Sequence, residues 1–139
     1  MSTGATGATR ILLVDDHPIV RMALRQLLAN QLDFVVCGEA NSVDDALQIV
    51  RTLTPDLVIV ELSLRGVGGL ELIRRLVKLD ARLPIVVFSM YEEAAFADLA
   101  FMAGARGYVT KQERPDALMR AIREVLGGGR YPGGPPAAT

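Results

Sequence analysis

Five short, uninterrupted apolar runs alternate with helical patterns along this chain, and this alternation constrains the fold more than any other feature of the sequence. The runs lie at residues 11–14, 34–37, 57–60, 84–88 and 107–110, and the last of these is too short to assign as a strand by periodicity alone. Apolar runs without polar alternation are typical of strands that are buried on both faces. The chain therefore predicts an α/β domain, in which an open, doubly wound parallel sheet is covered by helices on both faces.

The segments between and after the runs carry signals for five helices. Pro18 and Pro115 suit the first turns of the first and fifth helices. Ser42, with Asp45 three residues later, resembles a capping box at the start of the second helix. The fourth helix, predicted at residues 92–103, is apolar nearly all round. That composition fits both a contact surface and a well-covered core helix.

Length and composition limit the classes of function. A chain of 139 residues suits one domain, and we expect it at residues 10–127, between a tail at 1–9 and a Gly/Pro-rich tail or linker at 128–139. The net charge of −1 predicts no nucleic-acid-binding face. One cysteine and one histidine exclude a Cys/His metal cluster, and we interpret His17 as a loop residue without a chemical role. With no secretion signal and no apolar run of roughly 18 residues, a cytoplasmic protein that does not bind membranes is expected.

Polar residues end four of the five predicted strands. Asp15 and Asp16 follow the first run, Glu61 follows the third, and Ser89 and Lys111 follow the fourth and fifth. Ligands of such sheets bind outside the carboxyl ends of the strands. Converging carboxylates repel one another unless a cation lies among them, and oxygen ligands suit Mg²⁺. A hydroxyl and an amine suit phosphoryl oxygens, so the sequence predicts an anion held against a cation.

With these residues in these positions, the chain resembles the receiver domain of bacterial two-component response regulators, from about residue 10 to residue 130. The resemblance rests on Leu-Val-Asp-Asp-His-Pro at 13–18, Pro-Asp-Leu-Val-Ile-Val at 55–60, Gly-Gly-Leu at 68–70, Phe-Ser at 88–89 and Gly-Tyr-Val-Thr-Lys at 107–111. It is strongest to the subfamily whose receivers precede a LuxR/NarL-type helix-turn-helix. It implies a CheY-like (flavodoxin-like) (βα)5 fold with strand order 2-1-3-4-5, and a role in phosphorelay signal transduction rather than enzymatic catalysis.

The resemblance also implies a metal site. Asp16 would bind Mg²⁺ or Mn²⁺ directly, and Asp15 would bind it through water. The side chain at position 61 and the backbone carbonyl of Ser63 would complete the protein ligands. The cation would then lie beside the acceptor of the phosphoryl group.

Three further residues carry over from the family as phosphoryl-binding and switch residues. Ser89 and Lys111 would bind the phosphoryl group after its transfer from a sensor histidine kinase. Tyr108 matches the aromatic that rotates inward when the hydroxyl of Ser89 moves toward the phosphoryl group. Ordinary packing at the edge of the sheet is the alternative reading of Tyr108.

Two positions depart from the family pattern. The phosphoacceptor of the family is an aspartate, where this chain has Glu61, and Arg65 replaces the usual proline, while Gly69 is as expected. The extra methylene moves the carboxylate roughly 1.5 Å outward. A displacement of about 1 Å costs on the order of 100-fold in positioned chemistry, so phosphotransfer is expected to be poor and Glu61 to imitate the phosphorylated state in part. A natural atypical receiver and a substituted ordinary receiver fit the sequence equally well.

Partners and competing functions follow from these residues. We expect a sensor histidine kinase as partner, and a homodimer through either the fourth helix, fifth strand and fifth helix or the first and fifth helices. A DNA-binding output domain follows such receivers in longer proteins, but this chain alone is not expected to bind nucleic acid. The alternatives are a docking module that works without phosphorylation and a Mg²⁺-dependent phosphohydrolase. Against the phosphohydrolase, this chain lacks the Asp-x-Asp pattern of such enzymes, because Asp15 is followed by Asp16 and then by His17.

Overall fold

Strands and helices alternate strictly along the chain. The computed structural model describes residues 7–64 and 68–133. The elements are β1 (Thr9–Val14), α1 (Pro18–Ala29), β2 (Phe34–Ala40), α2 (Val43–Leu53), β3 (Leu57–Val60), α3 (Gly68–Leu79), β4 (Ile85–Ser89), α4 (Ala94–Ala103), β5 (Gly107–Thr110) and α5 (Pro115–Leu126). All strand pairs are parallel, in the order β2-β1-β3-β4-β5. The predicted fold class and strand order are confirmed.

The apolar runs are continuous because each strand packs on two separate cores. Ile11 and Leu13 of β1 join a cluster with residues of α1 and α5. Leu12 and Val14 face the opposite side and join a cluster with α2 and α3. All four side chains are at most 1% exposed. Burial of each such side chain contributes roughly 1.5–3 kcal/mol, so both faces of the strand stabilise the sheet.

The predicted helix starts agree with the structure at three helices. Pro18 and Pro115 lie in the first turns of α1 and α5. The Ser42 hydroxyl accepts a hydrogen bond from the Asp45 N–H at 3.2 Å and caps α2. Helix α4 begins at Ala94, two residues later than the pattern predicts, and leaves Met102 84% exposed. Its apolar surface is therefore only partly used by the core.

The two residues after β3, Glu61 and Leu62, pack their backbone against the backbone of Gly69 in the first turn of α3. The Gly69 N–H donates to the Leu62 carbonyl at 2.8 Å. A Cβ atom at Gly69 would lie 2.8 Å from Leu62 Cα and closer still to the Glu61 carbonyl oxygen. No side chain fits in that space, which explains the glycine at this position. Arg65 lies outside the described residues.

Backbone pairing with the sheet extends past residues 10–127 at both ends. Thr9 belongs to β1, where it pairs with Phe34. Tyr131 pairs with β5, because its N–H donates to the Arg106 carbonyl at 3.0 Å and its carbonyl accepts from the Tyr108 N–H at 2.8 Å. Strand β5 is the edge of the sheet, and an edge strand has backbone groups free to pair. None of the helices in the described ranges is long and apolar enough to cross a bilayer.

Candidate functional site

Three polar side chains are buried at one edge of the sheet. Asp15, Glu61 and Ser89 are each at most 2% exposed, and they are the buried polar or charged residues of the described ranges. Each lies at the carboxyl end of its strand: Asp15 follows β1, Glu61 follows β3, and Ser89 is the last residue of β4. Burial of such groups is costly unless they are hydrogen-bonded or paired. Their concentration at one edge therefore marks this edge as the candidate site.

Lys111 joins the two buried carboxylates. Its Nζ atom lies 2.7 Å from Glu61 Oε1 and 2.9 Å from Asp15 Oδ2. The lysine side chain is 16% exposed, while those of Glu61 and Asp15 are 0% and 3% exposed. Lys111 follows β5, and its backbone N–H donates to the Ser89 carbonyl at 2.7 Å. This bond fixes the backbone from which the lysine side chain extends. One cation thus neutralises part of the charge of two carboxylates.

The Glu61 carboxylate also accepts hydrogen bonds from two backbone N–H groups. The Ser63 N–H donates to Oε2 at 3.0 Å, and the Met90 N–H donates to Oε1 at 3.2 Å. Burial alone would raise the pKa of Glu61, but Lys111, the Ser63 N–H and the Ser89 hydroxyl together hold that pKa below its ordinary value. Glu61 is therefore ionised at neutral pH, with both carboxylate oxygens hydrogen-bonded.

The pairing also changes the titration of the lysine. Burial would lower the pKa of Lys111, but its hydrogen bonds to Glu61 and Asp15 outweigh burial and raise the pKa above the ordinary value. Lys111 is thus a fixed cation across the physiological range. Lys111 and Glu61 are thus an ionised donor and an ionised acceptor in contact, which is the arrangement that gives short, charge-assisted hydrogen bonds.

Tyr108 is turned into the domain beside Ser89. The ring is 4% exposed, and its hydroxyl donates to the Tyr91 carbonyl at 2.8 Å. The Ser89 hydroxyl accepts from the Tyr91 N–H at 3.1 Å. Burial raises the pKa of Tyr108, and the Ser89 hydroxyl opposes that rise in part. Ser89, Tyr91 and Tyr108 therefore form one hydrogen-bonded group next to Glu61.

Within residues 7–64 and 68–133, Asp15, Asp16 and His17 form a group of side chains that could bind a metal ion. One ligand atom from each lies within 4.8 Å of the others. His17 Nδ1 is 2.8 Å from Asp15 Oδ1 and 3.2 Å from Asp16 Oδ1. The carboxylate oxygens suit a hard cation such as Mg²⁺, so the residues fit the predicted ion. The Glu61 carboxylate is not part of this group.

Arg21 of α1 supports the loop that carries the two aspartates. Its Nη1 atom donates to the Asp15 carbonyl at 2.6 Å, and its Nε atom donates to Glu39 Oε1 at 2.9 Å. The arginine side chain is 18% exposed, so these contacts are partly shielded from water. The loop after β1 is thereby tied to the end of β2.

The structure brings the sequence-predicted residues together at one edge, but their contacts add features that the sequence did not predict. Sequence reasoning missed the Ser63 and Met90 N–H donors to Glu61, and it gave His17 no part in the acidic group. Backbone donors belong to every residue type except proline, so they leave no signal in the sequence. The short Asp-Asp-His spacing was the available signal for His17.

Comparisons with known proteins agree with this fold. A five-stranded parallel sheet in the order β2-β1-β3-β4-β5, alternating with five helices, is the CheY-like class of fold. The chain belongs to the response regulator receiver domain family, which it matches over residues 11–123. Domains of this family are regulatory parts of two-component systems.

Individual relatives place the chain within that family. Over 122 residues it is 37% identical to the response regulator GacA of Pseudomonas aeruginosa, covering 88% of this chain and 57% of that protein. Over 121 residues it is 36% identical to the response regulator UvrY of Escherichia coli, covering 87% of this chain and 56% of that protein. A crystal structure of a LuxR-family two-component response regulator from Aurantimonas sp. SI85-9A1 superimposes with a TM-score of 0.86 and 43% identity, covering 88% of both chains. The chain thus spans a little over half the length of GacA and of UvrY.

Proposed function

We propose that this receiver holds the engaged arrangement of its site without phosphorylation, because Glu61 takes the place of a phosphorylated acceptor. The observation that carries the proposal is the environment of the Glu61 carboxylate. It is buried and accepts from Lys111 Nζ, the Ser63 N–H and the Met90 N–H. These three donors converge on one position, which we assign to the anion of a phosphorylated acceptor, and the Glu61 carboxylate supplies the anion there.

The inward position of Tyr108 supports the same state. By its resemblance to the family, Tyr108 is the aromatic that turns inward once Ser89 is engaged. Here its ring is buried, and its hydroxyl bonds to the Tyr91 carbonyl beside Ser89. A carboxylate brings less charge and fewer acceptor oxygens than a phosphoryl group, so the imitation is partial.

Poor phosphotransfer is the second part of the proposal. The extra methylene places the Glu61 oxygens roughly 1.5 Å beyond those of an aspartate. They already bond to Lys111 at 2.7 Å, in the space that an incoming phosphoryl group needs. Misplacement by about 1 Å costs on the order of 100-fold, and the occupied donors add to this cost.

A divalent cation would bind beside Glu61. Asp15 and Asp16 would hold Mg²⁺ or Mn²⁺, with the Ser63 carbonyl and the Glu61 side chain as further ligands. When bound, the cation supplies positive charge that offsets the negative charge of the carboxylates and of a transferred phosphoryl group. Lys111 shares this task, because it already contacts both Asp15 and Glu61.

The proposed partners of this protein are a sensor histidine kinase and a second copy of the chain. Helix α1 exposes 71% of Ile19 and 42% of Met22, which supports a contact through α1 and α5. Helix α4 exposes 41% of Leu99 and 84% of Met102, which supports the surface of α4, β5 and α5 instead. The same exposed residues support docking that does not depend on phosphorylation.

The proposal is tested by comparing the chain with its Glu61→Asp variant. Both are incubated with Mg²⁺ and acetyl phosphate, and intact mass is measured. We expect only the Asp variant to gain a phosphoryl group, as its carboxylate oxygen attacks phosphorus and acetate leaves. Glu61→Gln serves as the uncharged control. Equal phosphorylation of the parent chain, or none in the Asp variant, would contradict the proposal.

A further inference from the structure

The chain after α5 returns to the sheet and pairs with β5. Gly128, with a φ of +94°, turns the backbone, and the Gly129 N–H donates to the Glu124 carbonyl at 2.9 Å. We call residues 130–132 the C-terminal latch. Tyr131 forms a parallel bridge with Gly107, so the latch lies on the outer edge of β5.

Two backbone hydrogen bonds and several side-chain contacts hold the latch, among them the packing of Tyr131 against the core cluster that includes α1 and α5. The Tyr131 N–H donates to the Arg106 carbonyl at 3.0 Å, and the Tyr108 N–H donates to the Tyr131 carbonyl at 2.8 Å. The Arg130 guanidinium lies 4.0 Å from the centre of the Phe101 ring of α4, a cation–π distance. The latch therefore contacts both β5 and α4.

Tyr108 belongs to the latch and to the acidic site at once. Its backbone N–H faces the latch, whereas its hydroxyl bonds to the Tyr91 carbonyl beside Ser89. One residue thus joins the sheet edge to the pocket that contains Glu61. A displacement of the Tyr108 backbone would alter the bonds on both sides, and coupling of two such equilibria is reciprocal.

We propose that the C-terminal latch closes on β5 when Tyr108 is turned inward, and that the latch in turn holds Tyr108 in that position. The latch then transmits the state of the acidic pocket to the chain beyond α5. This inference rests on the proposed function, in which Glu61 keeps the pocket engaged. It adds the route by which that state reaches the C-terminal segment.

The strongest single perturbation is Tyr131→Pro, which removes the N–H that bonds to the Arg106 carbonyl together with the ring that packs against the core. Gly133→Pro is the matched control, because Gly133 lies beyond Tyr131, whose N–H and carbonyl make both backbone bonds of the latch. Arg130→Ala is a milder second variant that keeps both backbone bonds and removes the contact with Phe101. All three leave Glu61 in place, and amide hydrogen exchange and heteronuclear NMR spectra are recorded for each beside the parent chain.

We expect Tyr131→Pro to speed exchange of the Tyr108 amide about tenfold, the effect of losing about one net hydrogen bond. The amide signals of Ser63 and Met90, the donors to Glu61, are expected to shift as well. Arg130→Ala should give a smaller change in the same direction, and Gly133→Pro none.

Two results overturn the coupling. If Tyr108 exchanges faster while the Ser63 and Met90 signals stay in place, the latch only covers the sheet edge. If neither Tyr131→Pro nor Arg130→Ala changes Tyr108 exchange, the latch does not hold β5. Failure of the proposed function shows instead in the phosphorylation of the parent and Glu61→Asp chains, so the two failures are distinguishable.

Discussion

Replacing Lys111 with methionine tests the electrostatics of the site most directly. The substitution keeps a long side chain but removes the cation that bonds to Glu61 and Asp15 at 2.7 and 2.9 Å. Both carboxylates are buried, so the variant leaves negative charge in the interior without its main partner. We expect Lys111→Met to fold less stably than the parent chain.

The contacts that remain set the size of the loss. Removing one partner of a buried ion pair costs about 3–5 kcal/mol. Glu61 keeps the N–H donors of Ser63 and Met90, and Lys111 is itself 16% exposed. Both factors reduce the effect, so we expect a decrease of about 2–3 kcal/mol in the free energy of unfolding.

The pH dependence gives a second, independent check. Glu61 has a lowered pKa, so its contribution to stability is present above the unfolded pKa of about 4.3 and is lost as pH falls through the folded pKa. Lys111 has a raised pKa, so its contribution is present below about pH 10.4 and is lost as pH rises through the folded pKa. The difference between the parent and Lys111→Met should therefore narrow at both extremes of pH.

The assay is urea unfolding followed by circular dichroism, with a chelator present so that no divalent cation replaces the lysine. Lys78→Met is the matched control, because Lys78 is the other lysine of the chain and is exposed. Adding Mg²⁺ should recover part of the stability of Lys111→Met. A loss below about 0.5 kcal/mol at neutral pH, the value of an exposed ion pair, would refute the reasoning.

Three further substitutions, one of them with a matched control, test other parts of the structure. Gly69→Ala should lower the free energy of unfolding by about 2 kcal/mol or more in the same urea assay, because the added Cβ would meet the backbone of Leu62. Gly127→Ala is the control and should change the free energy of unfolding little, because its Cβ would meet only carbonyl oxygens at 3.5 Å. Ser42→Ala should cost about 1 kcal/mol through loss of the α2 cap, and an unchanged urea midpoint would contradict that role. Tyr108→Phe should remove a tyrosinate absorbance step that lies above the usual tyrosine pKa of about 10, because burial raises the pKa of Tyr108.

The sequence predicted the sheet and the residues at its edge for a clear physical reason. Apolar runs with no polar alternation require burial on two faces, and parallel strands bring their carboxyl ends to one edge. Asp15, Glu61, Ser89 and Lys111 could therefore be assigned to one site from their positions after the runs. The helix starts followed from local chemistry, as at Ser42.

The contacts of Glu61 and the C-terminal latch could not be predicted in the same way. The direction of the Glu61 carboxylate depends on where the Met90 N–H lies after folding, which is set by tertiary packing. Tyr131 stands in a Gly/Pro-rich stretch, whose composition predicts a loop. Its pairing arises from the unpaired edge of β5, a property of the assembled sheet rather than of the local sequence.

The close approach of Gly69 to the backbone after β3 has a consequence for how residue 61 tolerates a change in length. The main chain at Glu61 and Leu62 is held against Gly69, and the Glu61 N–H donates to the Val14 carbonyl at 3.0 Å. The backbone of Glu61 and Leu62 is therefore packed closely on the side of Gly69. Under the proposed function, this close packing directs the added methylene of Glu61 away from Gly69, toward Lys111 and the backbone donors of Ser63 and Met90.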